Sequence, residues 1–408
     1  MKVAFVSARV PYPLHTGGRI RTYHLLKAAA EVHDVTLITA FETLEELASL
    51  DALRDLLPGI EMRAVRVAPR NALGPRLRRA ARSPFESLPF AWAGFRDAGF
   101  IRNVWAVLER GAFDLVHCDH IQVAHALPAS GAPRLLDAHN VEHILVRRLA
   151  DNERRPWRRA LMQWQAQKTR RIEATTYASF DHCIAVSAVD RARIEALAPR
   201  LRVSVVPNGV DVKAFAMNPT VPDRNLIVFV GSMDWAPNVE GVSWFVRRVL
   251  PAIRQMRPAT SFLVVGRRPA PRLMRTLGGA HVRFTGTVED VRPFVEAAGV
   301  VVVPLLSGGG TRLKILEAWA MGKAVVSTRV GAEGLPVAQA VNAMLADGAE
   351  AFAHRVVQLL DNEPASARLG TEGRKLVEED FSWERVAPPL LAAYSATISC
   401  RDRARRES

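Results

Sequence analysis

At 408 residues the chain is long for one hydrophobic core and suits two domains of about 200 residues each, with enough apolar content, 49%, to fill both. Its three cysteines, Cys118, Cys183 and Cys400, are scattered and odd in number, which rules out a disulfide framework or a metal spacing and fits a reducing cytosol. The formal charge of +14 calls for an anionic partner or for arginine-rich solvated faces, yet no zinc spacing, RNA-binding aromatic signature or helix-turn-helix pattern accompanies it, so nucleic acid is not expected.

The N-terminus enters a strand at once: Val3–Ser7 is an apolar run cut off by Arg9, too short for a signal-peptide core. A loop with Pro11 and Pro13 leads to Gly17 and Gly18, then a helix over Arg19–Ala30 and a strand over Val35–Thr39. A glycine pair opening a helix is a candidate anion site, because N–H groups there lack helix partners and the dipole favours negative charge. Residues 42–110 read as helices with a basic, proline-interrupted middle and one strand around Met62–Val67.

A strand at Asp114–His117 precedes a helix at Gln122–Leu127. Leu135–His143, LLDAHNVEH, then ends a strand in His139, Asn140, Glu142 and His143, and open parallel sheets place ligands at such strand ends. His139 with Glu142 or His143 has the wrong spacing for a metal on one helical face, so no metal is expected; His117, His120 and His125 read as ordinary histidines. The flanking segments are strongly basic: Arg76, Arg78, Arg79 and Arg82, then Arg147, Arg148, Arg154, Arg155, Arg158, Arg159, Lys168, Arg170 and Arg171. They also carry Phe85, Phe90, Trp92, Trp157 and Trp164, a combination suited either to an anionic membrane surface or to solvated arginine-rich faces. No apolar run approaches the ~18–20 residues of a membrane span, so the expectation is a cytoplasmic protein, with a peripheral place on the inner membrane face as an option.

A helix at Ala166–Ala178, a strand at Cys183–Val186 and a helix after Ser187 lead to LRVSVVPNGVD. Pro207-Asn208-Gly209 is turn chemistry, so the first domain is expected to span 1–208 and a linker 209–222. The pattern restarts in 223–381: strands at Leu226–Gly231, Ser261–Gly266 and Val282–Gly286, helices at Val239–Met256 and Val291–Ala298. Strands alternating with helices imply doubly wound parallel sheets. Val300–Leu306 is a further buried strand, followed by Gly308, Gly309 and Gly310, a helix from Thr311 to Met321 with Thr311 as cap, a stop at Gly322 and a strand at Ala324–Thr328. Glu317 lies about 9 Å along that helix from its mouth, where a sugar hydroxyl hanging from a bound phosphate would reach it. A structural alternative makes the glycines a tight turn and pairs Glu317 with Lys314. The tail holds a helix near its end after Pro388-Pro389, at about 382–400, and a charged, frayed terminus.

GGGTRLKILEAWAMGKAVV followed by GAEGL resembles the donor-site segment of glycosyltransferase family 4, the retaining transferases of the GT-B fold. The resemblance implies two Rossmann-like parallel-sheet domains with a cleft between them and a C-terminal helix crossing back to the first. It implies a nucleotide-sugar donor, a glycan or lipid-linked acceptor, and no cofactor or metal. Carried over by position, Gly17 and Gly18 face the donor phosphates, Glu317 binds the ribose, and His139, with Asn140 and Glu142 beside it, reaches sugar and acceptor. The diphosphate falls to Gly231, Gly308, Gly309, Gly310, Thr311, Arg312, Lys314 and Arg267. The sequence departs from the family twice: Gly309 stands where a second Glu is usual, and the loop after Leu226–Gly231 offers Asp234 and Trp235 instead of an Arg and a Lys. Arg312 and Lys314, with Arg267, are therefore expected to supply the missing positive charge. The implied activity is retaining transfer to a lipid-linked or polysaccharide acceptor; a nucleotide-sugar 2-epimerase of the same fold and a non-catalytic sugar-nucleotide binder are the alternatives.

Overall fold

The computed structural model describes residues 1–407 except Asn71, Pro84, Phe85, Ser87, Ser130 and Pro219, with only the backbone described for Leu73 and residues 400–407. Phe85 and the Cys400 side chain, both named above, thus lie outside the described residues. The chain divides into two compact units, Met1–Pro207 with Val386–Ser408, and Asn208–Arg385.

The first unit is built on seven strands: β1 (Lys2–Ser7), β2 (Asp34–Phe41), β3 (Glu61–Arg66), β4 (Leu115–Asp119), β5 (Arg134–Ala138), β6 (His182–Ala185) and β7 (Arg202–Val205). All are parallel, in the order β3-β2-β1-β4-β5-β6-β7. Every residue of β4 and all but the first of β1 are buried, as expected for strands covered by helices on both faces. The strand order reverses between β1 and β4, so the crevice at their carboxyl ends, with β5 beside them, is where such a sheet opens to a ligand.

Two local expectations shift. Gly17 and Gly18 do not precede the first helix; they form its first turn, because Thr16 is the cap and accepts from the Arg19 N–H at 3.4 Å. The tail helix starts at Trp383, ahead of Pro388 and Pro389, and continues to Glu407 through the end expected to fray. From Val386 on it belongs to the first unit, where the Tyr394 hydroxyl lies 2.9 Å from His117 Nδ1 and Thr397 bonds His182.

The second unit holds β8 (Asp223–Val230), β9 (Ser261–Val265), β10 (Val282–Gly286), β11 (Ala298–Val303), β12 (Val325–Ser327) and β13 (Met344–Leu345), parallel in the order β10-β9-β8-β11-β12-β13. The switch point here lies between β8 and β11. The stretch expected as a linker is part of this unit: Val210 bridges Ser382, and a methyl group on Gly209 would strike the Trp383 ring at 2.7 Å. The helix expected over Val239–Met256 runs from Ala236, with one wide turn at Phe245–Val249 just ahead of Pro251, whose ring nitrogen has no proton to give the preceding turn. β11 ends at Val303, so Pro304–Leu306 already belongs to the loop. No helix of the described residues is long and apolar enough to cross a membrane.

Candidate active site

In the first unit, β4 and β5 deliver two buried carboxylates side by side, Asp119 and Asp137, at their last and next-to-last residues. His139 follows β5 immediately, and its Nε2 lies 2.8 Å from Asp119 and 3.1 Å from Asp137. Burial opposes a charge on this imidazole, but Asp137 and then Asp119 outweigh it and raise its pKa to about 9. Both nearby acids stay ionised despite burial: His120 and His139 hold Asp119 well below the carboxylate range, and Arg21 with His139 does the same for Asp137. Arg21 grips Asp137 through Nε and a terminal nitrogen at 2.7–3.0 Å and donates to the carbonyls of Val206 and Pro207. Ser7 and Thr22 donate to Asp119, at 2.7 and 3.0 Å.

His120, expected from the sequence to be an ordinary histidine, is part of this corner. It adopts φ 75°, a conformation costly for a side chain of this kind, and stacks on His139 with ring centroids 3.5 Å apart. Burial and the neighbouring charge of His139 lower its pKa, so the pair is one imidazolium against one neutral ring. Gly18 is what lets the first helix approach them: a methyl group there would lie 3.3 Å from His120 Nε2 and 3.8 Å from His139 Nδ1. The glycine pair and His139, distant in sequence, thus share one corner. His117, by contrast, is a core residue, stacked on Phe5 and bonded to Tyr394.

Asn140 and Glu142 border the same corner, 3.5 Å apart. Burial and then Glu173 push the Glu142 carboxyl up to about 7. Glu173 itself, fully buried, caps the helix Glu142–Asn152 by accepting from the N–H groups of Glu142 and His143 at 2.6 and 3.1 Å. Ligand atoms of Asp119, His120 and His139 approach within 4.8 Å of one another, as do those of His117, Asp119 and Asp137. The positive charge a cation would bring to these carboxylates is already provided by Arg21 and His139, and an ion would have to displace a proton and compete with a bidentate guanidinium.

In the second unit, the corner is made where β8 and β11 end. Gly308 (φ 150°) and Gly310 (φ 66°) take conformations that suit glycine and turn the chain into the helix Leu313–Ala320. The cap is Arg312 rather than Thr311, whose hydroxyl accepts from Asn208 instead, at 2.8 Å. Arg312 is tied to its own loop. Only 5% exposed, it folds back under the loop and donates to the carbonyls of Gly309 and Gly310, packed so close to Gly308 that a methyl group there would overlap its guanidinium. It holds the loop's shape, and its charge acts through space on Lys314.

Lys314 does stand in the corner. Its Nζ donates to Asn238 at 2.9 Å, sits 4.0 Å over the Phe229 ring, and would lie 2.7 Å from a methyl group on Gly231. Burial, then Arg312, lowers its pKa to about 7. Glu317, one turn on, is not paired with it, and among the described residues its carboxylate accepts no hydrogen bond; burial raises it to about 7 against the pull of Lys314. Arg267 is held at the rim by Ser232 (2.8 Å) and Asp234 (3.3 Å), so the acid that replaces an expected base positions a neighbouring arginine. Two contributors escaped the sequence reading. Asn238 orients Lys314, and Gly266 lets β9 approach β8, since a methyl group there would fall 2.0 Å from the Gly231 carbonyl oxygen.

Comparison with known proteins finds a match for each of the two units. The family model "Glycosyltransferase Family 4" matches residues 16–214 and "Glycosyl transferases group 1" matches 224–362. An MMP alpha-(1->4)-mannosyltransferase of Mycolicibacterium hassiacum is 29% identical over 314 residues, 71% of this chain and 72% of that one. Sucrose-phosphate synthase of Thermosynechococcus elongatus superposes with a TM-score of 0.74 at 19% identity, over 98% of this chain and 99% of that one. HepE of Anabaena, solved in complex with UDP-glucose, does so with 0.67 at 14% identity, over 97% and 100%. With these matches spanning both units, the chain belongs to the glycosyltransferase family 4 (glycosyl transferases group 1) enzymes and has their GT-B fold.

Proposed function

We propose that this enzyme moves a sugar from a nucleotide-diphosphate sugar to a lipid-linked or polysaccharide acceptor with retention of anomeric configuration. The observation that carries the donor side is the second-unit corner: N–H groups at a glycine turn, a lysine ammonium and an arginine at one mouth, and a carboxylate with open lone pairs one turn further on. The diphosphate takes the loop of Gly308–Gly310 with Thr311, Gly231, Lys314 and Arg267, and Glu317 accepts from the ribose hydroxyls. HepE, crystallised with UDP-glucose, shows that a protein of this fold takes such a donor.

On the first unit, His139 presents a cationic imidazole whose Nδ1 side faces Gly18, a donor for a sugar hydroxyl or a phosphate oxygen, with Gly17, Asn140 and Glu142 at its border. Its charge is fixed by two buried acids and needs no rearrangement as the leaving diphosphate gains charge. Retention follows if the departing phosphate takes the acceptor proton, which asks for no carboxylate pair of the glycosidase kind. A place at the inner face of a membrane fits a lipid-linked acceptor.

Thermal unfolding with a panel of nucleotide sugars tests the reading. One donor should stabilise the fold by mass action, by about 2.7 kcal/mol at a hundredfold excess over Kd, raising the midpoint, and Lys314→Met should shrink that rise. Incubation of that donor with membrane extract should release free nucleotide; release without any transferred sugar, or interconversion of the donor alone, would point to the binder or the epimerase instead.

A further inference from the structure

The helix Pro156–Tyr177 carries its aromatic residues on the wrong side for a core. Ala166, Thr169, Glu173 and Tyr177 face inward and are buried. Trp157, Leu161 and Trp164, spaced four and three residues apart, fall within about 60° of one another on the helix and well round from the buried positions. They are 64%, 51% and 38% exposed, and every residue from Arg154 to Leu161 is exposed. Single exposed apolar residues need no explanation, but an aligned row including two tryptophans does.

The surroundings of that row specify its partner. Residues 154–172 contain seven arginines and lysines and no acid. Two of the cations bracket the indoles, Arg158 over Trp157 at 5.3 Å and Lys168 over Trp164 at 4.9 Å. Lys168 and Gln165 also bond Ser83, the C-cap of the helix Leu73–Arg82, so a second basic helix with an exposed Leu77 is anchored on this one. We infer that this face docks on an anionic lipid bilayer. The indoles and Leu161 enter the level of the headgroups, and the arginines meet lipid phosphates. Nucleic acid would use the cations but has no place for an aliphatic row. A protein partner of matching charge would leave the tryptophans without an acyl boundary to suit their half-apolar rings. The inference deepens the membrane-side part of the proposed function, but it rests on a surface remote in sequence from the donor-binding residues.

Co-sedimentation of the full chain with phosphatidylglycerol–phosphatidylcholine vesicles, against phosphatidylcholine alone, tests it. The chain should pellet with the anionic vesicles, less so as salt rises, and Trp157→Ser, Leu161→Ser, Trp164→Ser combined should weaken partitioning roughly tenfold or more. The donor-induced thermal shift should stay unchanged in that variant, which separates loss of docking from loss of the donor site. Should the triple variant misfold, charge reversal at Arg154, Arg155 and Arg158, all exposed, must give the same loss. Equal pelleting of the wild type with neutral vesicles, full binding by either variant, or preference for duplex RNA over vesicles would each overturn the assignment.

Discussion

The two corners solve the problem of buried charge in opposite ways. At the centre of the first corner the charges are matched within hydrogen-bond reach: Arg21 with Asp137, and His139 with both Asp137 and Asp119. In the second, Lys314 leans on a neutral amide and a ring, Glu317 accepts no hydrogen bond among the described residues, and both have pKa values near 7. The first corner has its central acids balanced before anything binds. The other is held short of full ionisation, and an anionic ligand completes it. Such a division matches the work proposed for each, a fixed donor for developing charge on one side and a nucleotide grip that responds to its ligand on the other.

The comparison breaks most visibly at Arg21. Arg21→Met should leave Asp137 buried with only His139 to balance it, and removal of one partner of a buried pair costs about 3–5 kcal/mol. Chemical denaturation should register that loss, and a variant as stable as the wild type would mean that the first corner is not charge-locked. Next in size is a pH effect. The His139 pKa is raised from 6.5 unfolded to about 9 folded, so its contribution is complete below pH 6.5 and is lost as pH rises through 9. This is on the order of 3 kcal/mol. Unfolding midpoints followed from pH 6 to 10 should show the decline, and His139→Gln should flatten it.

The smallest expected effect sharpens the second corner. Binding a diphosphate favours charged Lys314, so its free-state pKa of about 7 makes affinity full below that value and weaker above it. Ribose binding favours ionised Glu317, whose pKa of about 7 weakens affinity as pH falls below it. Nucleoside diphosphate affinity by calorimetry should therefore peak near neutrality and fall up to tenfold per pH unit on either side. Lys314→Met should remove the alkaline limb and Glu317→Gln the acid limb; a flat profile in the wild type would sink the idea that these two groups meet the ligand.

The alternation of apolar runs with helical stretches was enough to read a pair of parallel sheets, and β10 falls on its expected residues, Val282–Gly286. β13, two residues long, gave no periodic signal to read. His139 and Glu317 stood out because a titratable residue at a strand end, or just past a glycine turn, is visible locally. Asp119, Asp137, Arg21 and His120 did not. Arg21 and Asp137 are 116 positions apart, and nothing in either neighbourhood marks them as partners.

What the amino-acid sequence settles alone is whatever depends on near neighbours: strand and helix periodicity, the glycine turn at 308–310, the stop at Gly322, the basic run of 154–171. What only the tertiary structure decides is direction and charge state. Whether Arg312 points at a ligand or back onto its own loop depends on the missing side chain at Gly308 and on which carbonyls lie in reach. Whether an imidazole is charged depends on which acids the sheet order sets beside it. Burial and Coulomb interactions act over ångströms in space, and position along the chain does not encode that distance.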